Sequence, residues 1–407
     1  PNYYDSDDFK NILEKILSEQ YDGISLQKYS LQMATGAGDN FSSEVYRVSC
    51  ECFKEITKST FETSFIIKSM PEVGFRGDFM DQINIFERER KALVETNPMF
   101  SKLTNEIFSP KCFYSTETPF NFMILEDLKL QNYKLANRKT GVDFDHGKLV
   151  MKKIGEYHAA SMISLNKNET LKTKFELLIF NPKYKWTVVD NFYEIGYKSF
   201  LEFLGSGQTF FPAELYEKLK PQEKTLIEKE RKMFYELGKV NVITHGDLWL
   251  ANMMFKYDEE TGTPIDVILL DFQIGFYGSP GIDINNFFSS SLDVEAYKNH
   301  LEDLIRIYYN SFHEVLQKHN YKNPPSFDDI VDEIRNKDFH GFSMCAVGLP
   351  IITRENSAIK KSVDDQFGSL IDEEASSKLL SCDFRNEKLL QRMKYPMERF
   401  LKLNIFD

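Results

Sequence analysis

Apolar positions along this chain change period several times, and each change marks an element. Phe9, Ile12, Leu13, Ile16 and Leu17 recur at helical spacing in a polar, acidic opening stretch. That pattern predicts an amphipathic helix and not the apolar core of a signal peptide. Turn and strand signals then dominate to about residue 125. A glycine-bearing turn over 36–40 leads into a strand at 44–48, and a second strand over 63–69 ends before Pro71. Helical spacing returns over 81–95, with Ile85, Phe86 and Leu93 apolar among Glu and Arg. Strands follow at 112–114 and 120–125, separated by a turn near Thr118 and Pro119. The predicted order is strand, strand, helix, strand, strand.

After Glu126-Asp127-Leu128 the character changes. Helices are predicted over 149–163, within 215–238, and over 294–318, 328–344 and 378–403, with Asn323-Pro324-Pro325-Ser326 as a breaker. Between them, 253–257 and 265–270 read as two strands joined by a turn over 258–264. The chain therefore divides into a sheet-rich lobe, 1–126, and a larger, mainly helical lobe, 127–407, with the boundary near 125–132. No internal repeat or low-complexity tract interrupts this order.

Chemistry concentrates around that hairpin. His245-Gly246-Asp247-Leu248-Trp249-Leu250-Ala251-Asn252 precedes it and Asp271-Phe272-Gln273 follows it. A tight hairpin would bring Asn252 and Asp271 side by side, as two oxygen ligands suited to Mg²⁺. Asp247 is placed to accept a proton from an attacking hydroxyl, or to align it. Either fragment alone is weak, since His-Gly-Asp arises by chance and an Asp after an apolar strand is usually a turn residue. Their order across a predicted hairpin is what points to phosphoryl transfer. His245 and His158 read as organisers of this loop, and Asp283 as an acceptor of hydrogen bonds that ties it down.

The amino-terminal lobe offers parts for holding a nucleotide. Glycines in Gly36-Ala37-Gly38-Asp39-Asn40 let backbone N–H groups approach phosphate oxygens, and Ser42 or Ser43 adds a hydroxyl. The run lacks a full G-x-G-x-x-G and is weak by itself. Lys68, near the end of an apolar strand, is the candidate cation for the phosphates; the bland alternative is a surface lysine. Its partner is Glu89 or Glu87, which a helix places on different faces. Phe86 packing inward favours Glu89. The strand ending at Glu126-Asp127-Leu128 would border an adenine cleft, with Glu126 and Leu128 at its edge, unless these acids are linker charges.

Composition limits the alternatives. A formal net charge of −12 without a basic run argues against nucleic acid as a partner. No apolar run reaches the roughly 18 residues of a membrane span. The five cysteines are odd in number and scattered, which reads as reduced structural thiols and a cytoplasmic address. The chain is rich in aromatics, with 35 Phe and 20 Tyr, and some could line a pocket for a large apolar ligand. Candidate segments are 179–200 with Trp186, Phe210-Phe211, and 339–350, although core packing explains them equally well.

These motifs in this order resemble the ecdysteroid kinase-like family, in the choline-kinase and aminoglycoside-phosphotransferase branch of the protein-kinase-like fold. The marks are Gly38-Asp39-Asn40-Phe41 with Ser43 and Tyr46-Arg47-Val48, Glu126-Asp127-Leu128, and His158-Ala159-Ala160-Ser161. His245-Gly246-Asp247-Leu248-Trp249, Asn252 and Asp271-Phe272-Gln273 complete them. The resemblance implies an α+β bilobal fold, with a small antiparallel-sheet lobe and a larger helical lobe. It also implies ATP- and Mg²⁺-dependent phosphorylation of a hydroxyl on a small molecule, with steroid moulting hormone the named acceptor class. In its terms Lys68 holds phosphate, Glu89 pairs with Lys68, Asp247 is the catalytic base, and Asn252 and Asp271 bind metal. Ala251 departs from the Asn often found beside the metal-binding Asn. Neither the residues nor the resemblance choose between an ecdysteroid and a xenobiotic or choline-like alcohol, or implicate a protein partner. A pseudokinase that sequesters a hydrophobic metabolite is the competing class.

Overall fold

The computed structural model describes residues 3–34, 43–70, 84–181, 183, 187–353 and 383–407. Five strands, β1 (Ile24–Met33), β2 (Glu44–Lys54), β3 (Ser59–Ser69), β4 (Cys112–Thr116) and β5 (Phe122–Glu126), form one antiparallel sheet in the order β1-β2-β3-β5-β4. Strand alternation gives this sheet two different faces. Phe65 and Ile67 of β3, with Phe122 and Ile124 of β5, pack outward against helix α1 (Asp7–Gln20), which buries Phe9, Leu13, Ile16 and Leu17. Ser6 caps that helix by accepting from the Phe9 amide at 3.2 Å. Ile66 and Lys68, one residue out of phase, face the other way.

Strand β1 goes beyond the four strands expected from the pattern. Of its residues only Leu26 is buried, so this edge strand carries little of the apolar alternation that reveals a strand in sequence. The helix expected over 81–95 is observed as α2 (Ile85–Lys91), continued through a π-type turn, Ala92–Thr96, into α3 (Asn97–Thr104). Residues 81–83 lie outside the described segments.

Helices dominate the remainder. The central pair is α4 (Phe144–Lys167) and α5 (Val294–Lys318). A Cβ at Gly155 of α4 would stand 2.6 Å from the Tyr308 carbonyl of α5, so glycine is what lets these helices approach. A three-stranded sheet lies beside them, with β6 (Tyr133–Leu135), β8 (Met253–Tyr257) and β9 (Pro264–Leu269) in the order β6-β8-β9. The short strand β7 (Val242–Ile243) pairs with β10 (Tyr277–Gly278). One continuous core joins Met123 and Leu125 under the sheet to Ile154, Tyr157, Phe255, Phe272 and Phe312. The fold is α+β and bilobal, a small antiparallel sheet over a mainly helical lobe.

A second core explains much of the aromatic content. Tyr193, Tyr197, Phe200, Phe211, Phe339 and Phe342 are all buried in it, around a fully buried Glu230 that accepts from His340 Nδ1 at 2.7 Å and Ser343 Oγ at 2.6 Å. The segments nominated from sequence as a ligand wall are thus mostly interior packing, while Trp186 lies outside the described residues. Among the described residues no helix is long and apolar enough to cross a membrane, and the four described cysteines are free.

Candidate active site

Strand β7 delivers the chain into the loop that holds Asp247. Gly246 has φ of +85°, and a Cβ there would meet the Ile274 carbonyl at 2.5 Å, so only glycine fits the turn. The loop is organised around a buried carboxylate. Asp283 accepts from the His245 amide at 2.7 Å, the Gly246 amide at 2.8 Å and His158 Nε2 at 3.0 Å. Burial opposes its charge, but His158 and the loop amides outweigh that and hold the carboxyl below its ordinary range. His158 in turn shares a 2.9 Å bond with the Tyr308 hydroxyl, fixing the loop to the α4–α5 pair.

His245 bridges the two motifs. Its Nε2 donates to the Leu270 carbonyl at 2.8 Å, so Nδ1 is the acceptor for the Asp247 amide at 3.3 Å. Burial lowers its pKa, which keeps the ring neutral and this donor–acceptor pattern intact. The hairpin closes as its sequence suggested. Met253 pairs with Leu269, and the Leu270 amide donates to the Asn252 carbonyl at 2.8 Å, which sets Asn252 and Asp271 at one end.

Asp247, Asn252 and Asp271 converge there with two residues of the other lobe. Asn252 Nδ2 donates to Asp247 Oδ2 at 2.7 Å and to the Asp247 carbonyl at 3.0 Å. The Trp249 side chain also hydrogen-bonds Asp247. Burial and the nearby Asp271 carboxylate push the Asp247 carboxyl up to about 6, against the pull of those two donors. Asp271 adopts a left-handed φ of +59° and receives a hydrogen bond from Lys68 Nζ. The same ammonium donates to Glu89 Oε1 at 2.8 Å. Burial pulls the Lys68 pKa down, but Asp271 and Glu89 outweigh it and hold the ammonium above the ordinary lysine range. The rival, Glu87, is paired instead with Arg90 and with Lys91 at 3.1 Å.

A cleft of about 560 Å³ opens between the lobes above these groups. Val45, Ile66, Leu125, Leu250 and Met254 give it apolar walls, Lys68, Glu89 and Asp271 stand at one end, and Glu126, Asp127 and Leu128 line the edge where the sheet ends. Asp127 is no linker charge. It is buried, with Arg47 Nε at 2.6 Å, Arg47 Nη2 at 3.2 Å and Ser64 Oγ at 2.7 Å, so it clamps β2 and β3 to the segment after β5. Glu126 has its carboxylate engaged by the Lys111 amide at 3.1 Å and by Gln131, and its own amide donates to the Lys111 carbonyl at 2.9 Å. Ser43 is buried just before β2 and does not line the cleft. Gly38, Asn40 and Ser42 lie outside the described residues.

The donor set fits a hard cation. With Nδ2 committed to Asp247, Asn252 keeps Oδ1 free of hydrogen bonds among the described residues; with Oδ1 bonded to Lys68, Asp271 likewise keeps Oδ2 free among them. Two such oxygens, one on the cleft-lining Asp271 and one on Asn252 beside it, suit Mg²⁺, which binds through one or two protein ligands and phosphate. Among the described residues no three His, Cys, Asp or Glu cluster as a self-sufficient metal cage. Sequence reasoning gave Trp249 and Arg47 no part beyond the family marks. The signal for both lay in the motifs already noted, Trp249 beside Asp247 and Arg47 within Tyr46-Arg47-Val48.

The model of the ecdysteroid kinase-like family matches residues 37–321. A search of the curated proteins gives no match. Among solved structures, an ethanolamine kinase from Plasmodium vivax is similar over 87% of this chain and 84% of its own, at 12% identity and a TM-score of 0.39; nothing about the site rests on that likeness. The family match takes in both halves of the candidate site, Lys68 with Glu89 and Asp247 with Asn252 and Asp271, and spans well over half of the sequence. The chain belongs to the ecdysteroid kinase-like family.

Proposed function

We propose that this protein is an ATP- and Mg²⁺-dependent kinase that phosphorylates a hydroxyl of a hydrophobic small molecule. The observation that carries the reading is the convergence of Lys68, Glu89 and Asp271, which line an interlobe cleft, with Asp247 and Asn252 on the loop and hairpin beside Asp271. Residues 1–126 are the nucleotide-binding lobe and 127–407 carry the catalytic loop and the acceptor site. Adenine lies between the apolar walls, against the backbone of Glu126 and Leu128, and Lys68 grips the phosphates while Glu89 orients it. Bound Mg²⁺ would supply charge neutralisation of the phosphates, with Asn252 and Asp271 as its protein ligands.

Asp247 orients the acceptor hydroxyl and takes its proton as the hydroxyl oxygen bonds to the γ-phosphorus and the bond to the ADP oxygen breaks. An ecdysteroid is the acceptor class that the family description names. The aromatic segments nominated from sequence lend that choice little weight, because most of their side chains are core.

Transfer from labelled ATP with Mg²⁺ to a panel of ecdysteroids, other sterols, choline, aminoglycosides and plant glycosides, read by mass spectrometry, tests the proposal. One added phosphate on a steroid supports both reaction and acceptor. Transfer only to a small polar alcohol keeps the kinase and rejects the hydrophobic acceptor. ATP binding with no transfer to any of them favours the sequestering pseudokinase.

A further inference from the structure

Helix α2 sends adjacent residues to two lobes. Consecutive positions on a helix are about 100° apart, so Glu89 and Arg88 leave it in different directions. Glu89 reaches the sheet and Lys68. Arg88 reaches the helical lobe, where Nη2 donates to the Gly275 carbonyl at 2.7 Å and the Glu176 carbonyl at 2.9 Å, and Nε donates to the Gln273 carbonyl at 3.3 Å. Two of those three carbonyls belong to the loop that begins with Asp271.

That loop is anchored at its far end within its own lobe. The Thr244 amide donates to the Phe276 carbonyl at 2.8 Å, the Phe276 amide to Thr244 Oγ1 at 3.1 Å, and the Tyr277 amide to the Phe175 carbonyl at 2.8 Å. Its near end carries Asp271 in a left-handed conformation, sparsely populated for any residue but glycine. There the other lobe reaches in twice, through Lys68 at the carboxylate and through Arg88 at the backbone two and four residues on. Hydrogen bonds from a guanidinium are charge-assisted and directional, so they specify where a backbone lies as well as holding it.

We infer that Arg88 is a positioning residue that ties the helix bearing Glu89 to the backbone following Asp271, so that one element sets both the phosphate-gripping lysine and the metal-binding carboxylate. The inference rests on the kinase reading above. Arg88 touches neither nucleotide nor acceptor in this scheme and acts through Asp271. A displacement of α2 would loosen the Lys68–Glu89 pair and the Asp271 loop together, and metal affinity would follow the position of this helix.

The test is calorimetric, on the full chain, with ATP at fixed concentration and Mg²⁺ titrated, for the wild type, Arg88→Met and Arg88→Lys. Arg88→Met keeps bulk without donors and should weaken apparent Mg²⁺ affinity in the presence of ATP by about threefold to thirtyfold. ATP binding without Mg²⁺ should change little, and kcat should fall more than KM rises. Arg88→Lys, which retains a donor for one carbonyl, should fall between. Unchanged Mg²⁺ affinity in Arg88→Met, even with a lowered melting temperature, would overturn the inference and leave Arg88 as interlobe glue. If Arg88→Met does not fold, Arg88→Lys decides alone, a weakened Mg²⁺ affinity supporting the inference and an unchanged one overturning it. A wild type that binds ATP with no Mg²⁺ dependence would instead overturn the kinase reading, and this inference with it.

Discussion

Lys68 Nζ stands 2.8 Å from Glu89 Oε1, with the two residues only 6% and 3% exposed, while Glu87 on the same helix turns away to Arg90 and Lys91. Lys68→Met should therefore reduce phosphoryl transfer by roughly 10² to 10³-fold, on the scale of losing one preorganised donor to developing charge. Glu89→Gln should cost up to about 10²-fold by misplacing Lys68, and Glu87→Gln should stay near wild type. Lys68→Met also leaves two carboxylates facing each other without their cation, so its melting temperature should drop. The double variant Lys68→Met/Glu89→Met should regain stability and remain inactive, because a matched apolar pair replaces a buried ion pair without loss. Equal turnover in the Glu87→Gln and Glu89→Gln variants would remove the distinction.

Asp247 has a different signature. Asp247→Asn keeps the shape of the loop but cannot take a proton, so transfer should fall by about 10² to 10⁴-fold while ATP affinity, measured by calorimetry, holds. Wild-type turnover in this variant would exclude Asp247 as the base.

Asp271→Ala separates metal from nucleotide. It removes one of the two oxygens that fit Mg²⁺, and Mg²⁺ should no longer raise ATP affinity in this variant. Retained Mg²⁺ dependence would take Asp271 out of the metal site.

Asp283 links the loop to stability and pH. Replacing it by Asn would leave the His245 and Gly246 amides competing for one carbonyl oxygen and should cost roughly 1.5–3 kcal/mol, the scale of a lost hydrogen bond to a charged group. Its folded pKa lies below its unfolded value of about 3.9. The stabilisation from its charge is thus complete above that value and is lost as pH falls through the folded pKa. Melting curves of wild type and Asp283→Asn should differ by a constant margin from neutral pH to about 5 and converge below about 4. A margin independent of pH throughout would show that the charge of Asp283 is not what holds the loop.

Much of the site could be read along the chain because its parts are local. The hairpin that pairs Met253 with Leu269 follows from two short apolar runs and a turn between them, and it brings Asn252 and Asp271 together whatever the rest of the chain does. Alternation along β3 determines that Lys68 faces the cleft once Phe65 and Ile67 face α1. The edge strand β1 was not legible, since a strand with one buried side chain has no apolar alternation to show.

What the sequence determined by itself was the order of the motifs, the strand and helix that carry Lys68 and its partner, and the hairpin that sets the candidate metal ligands. Periodicity and turn chemistry act over a few residues, and a single chain records them directly. Only the tertiary structure decided between Glu89 and Glu87, turned Asp127 from a linker charge into a clamp on Arg47 80 positions away, and brought Arg88 to the Gln273 carbonyl across 185. It also assigned the aromatic segments of the helical lobe largely to a core. Those outcomes depend on which side chains of distant elements share one volume and which charges must be paired on burial, and neither is written in the spacing of residues along the chain.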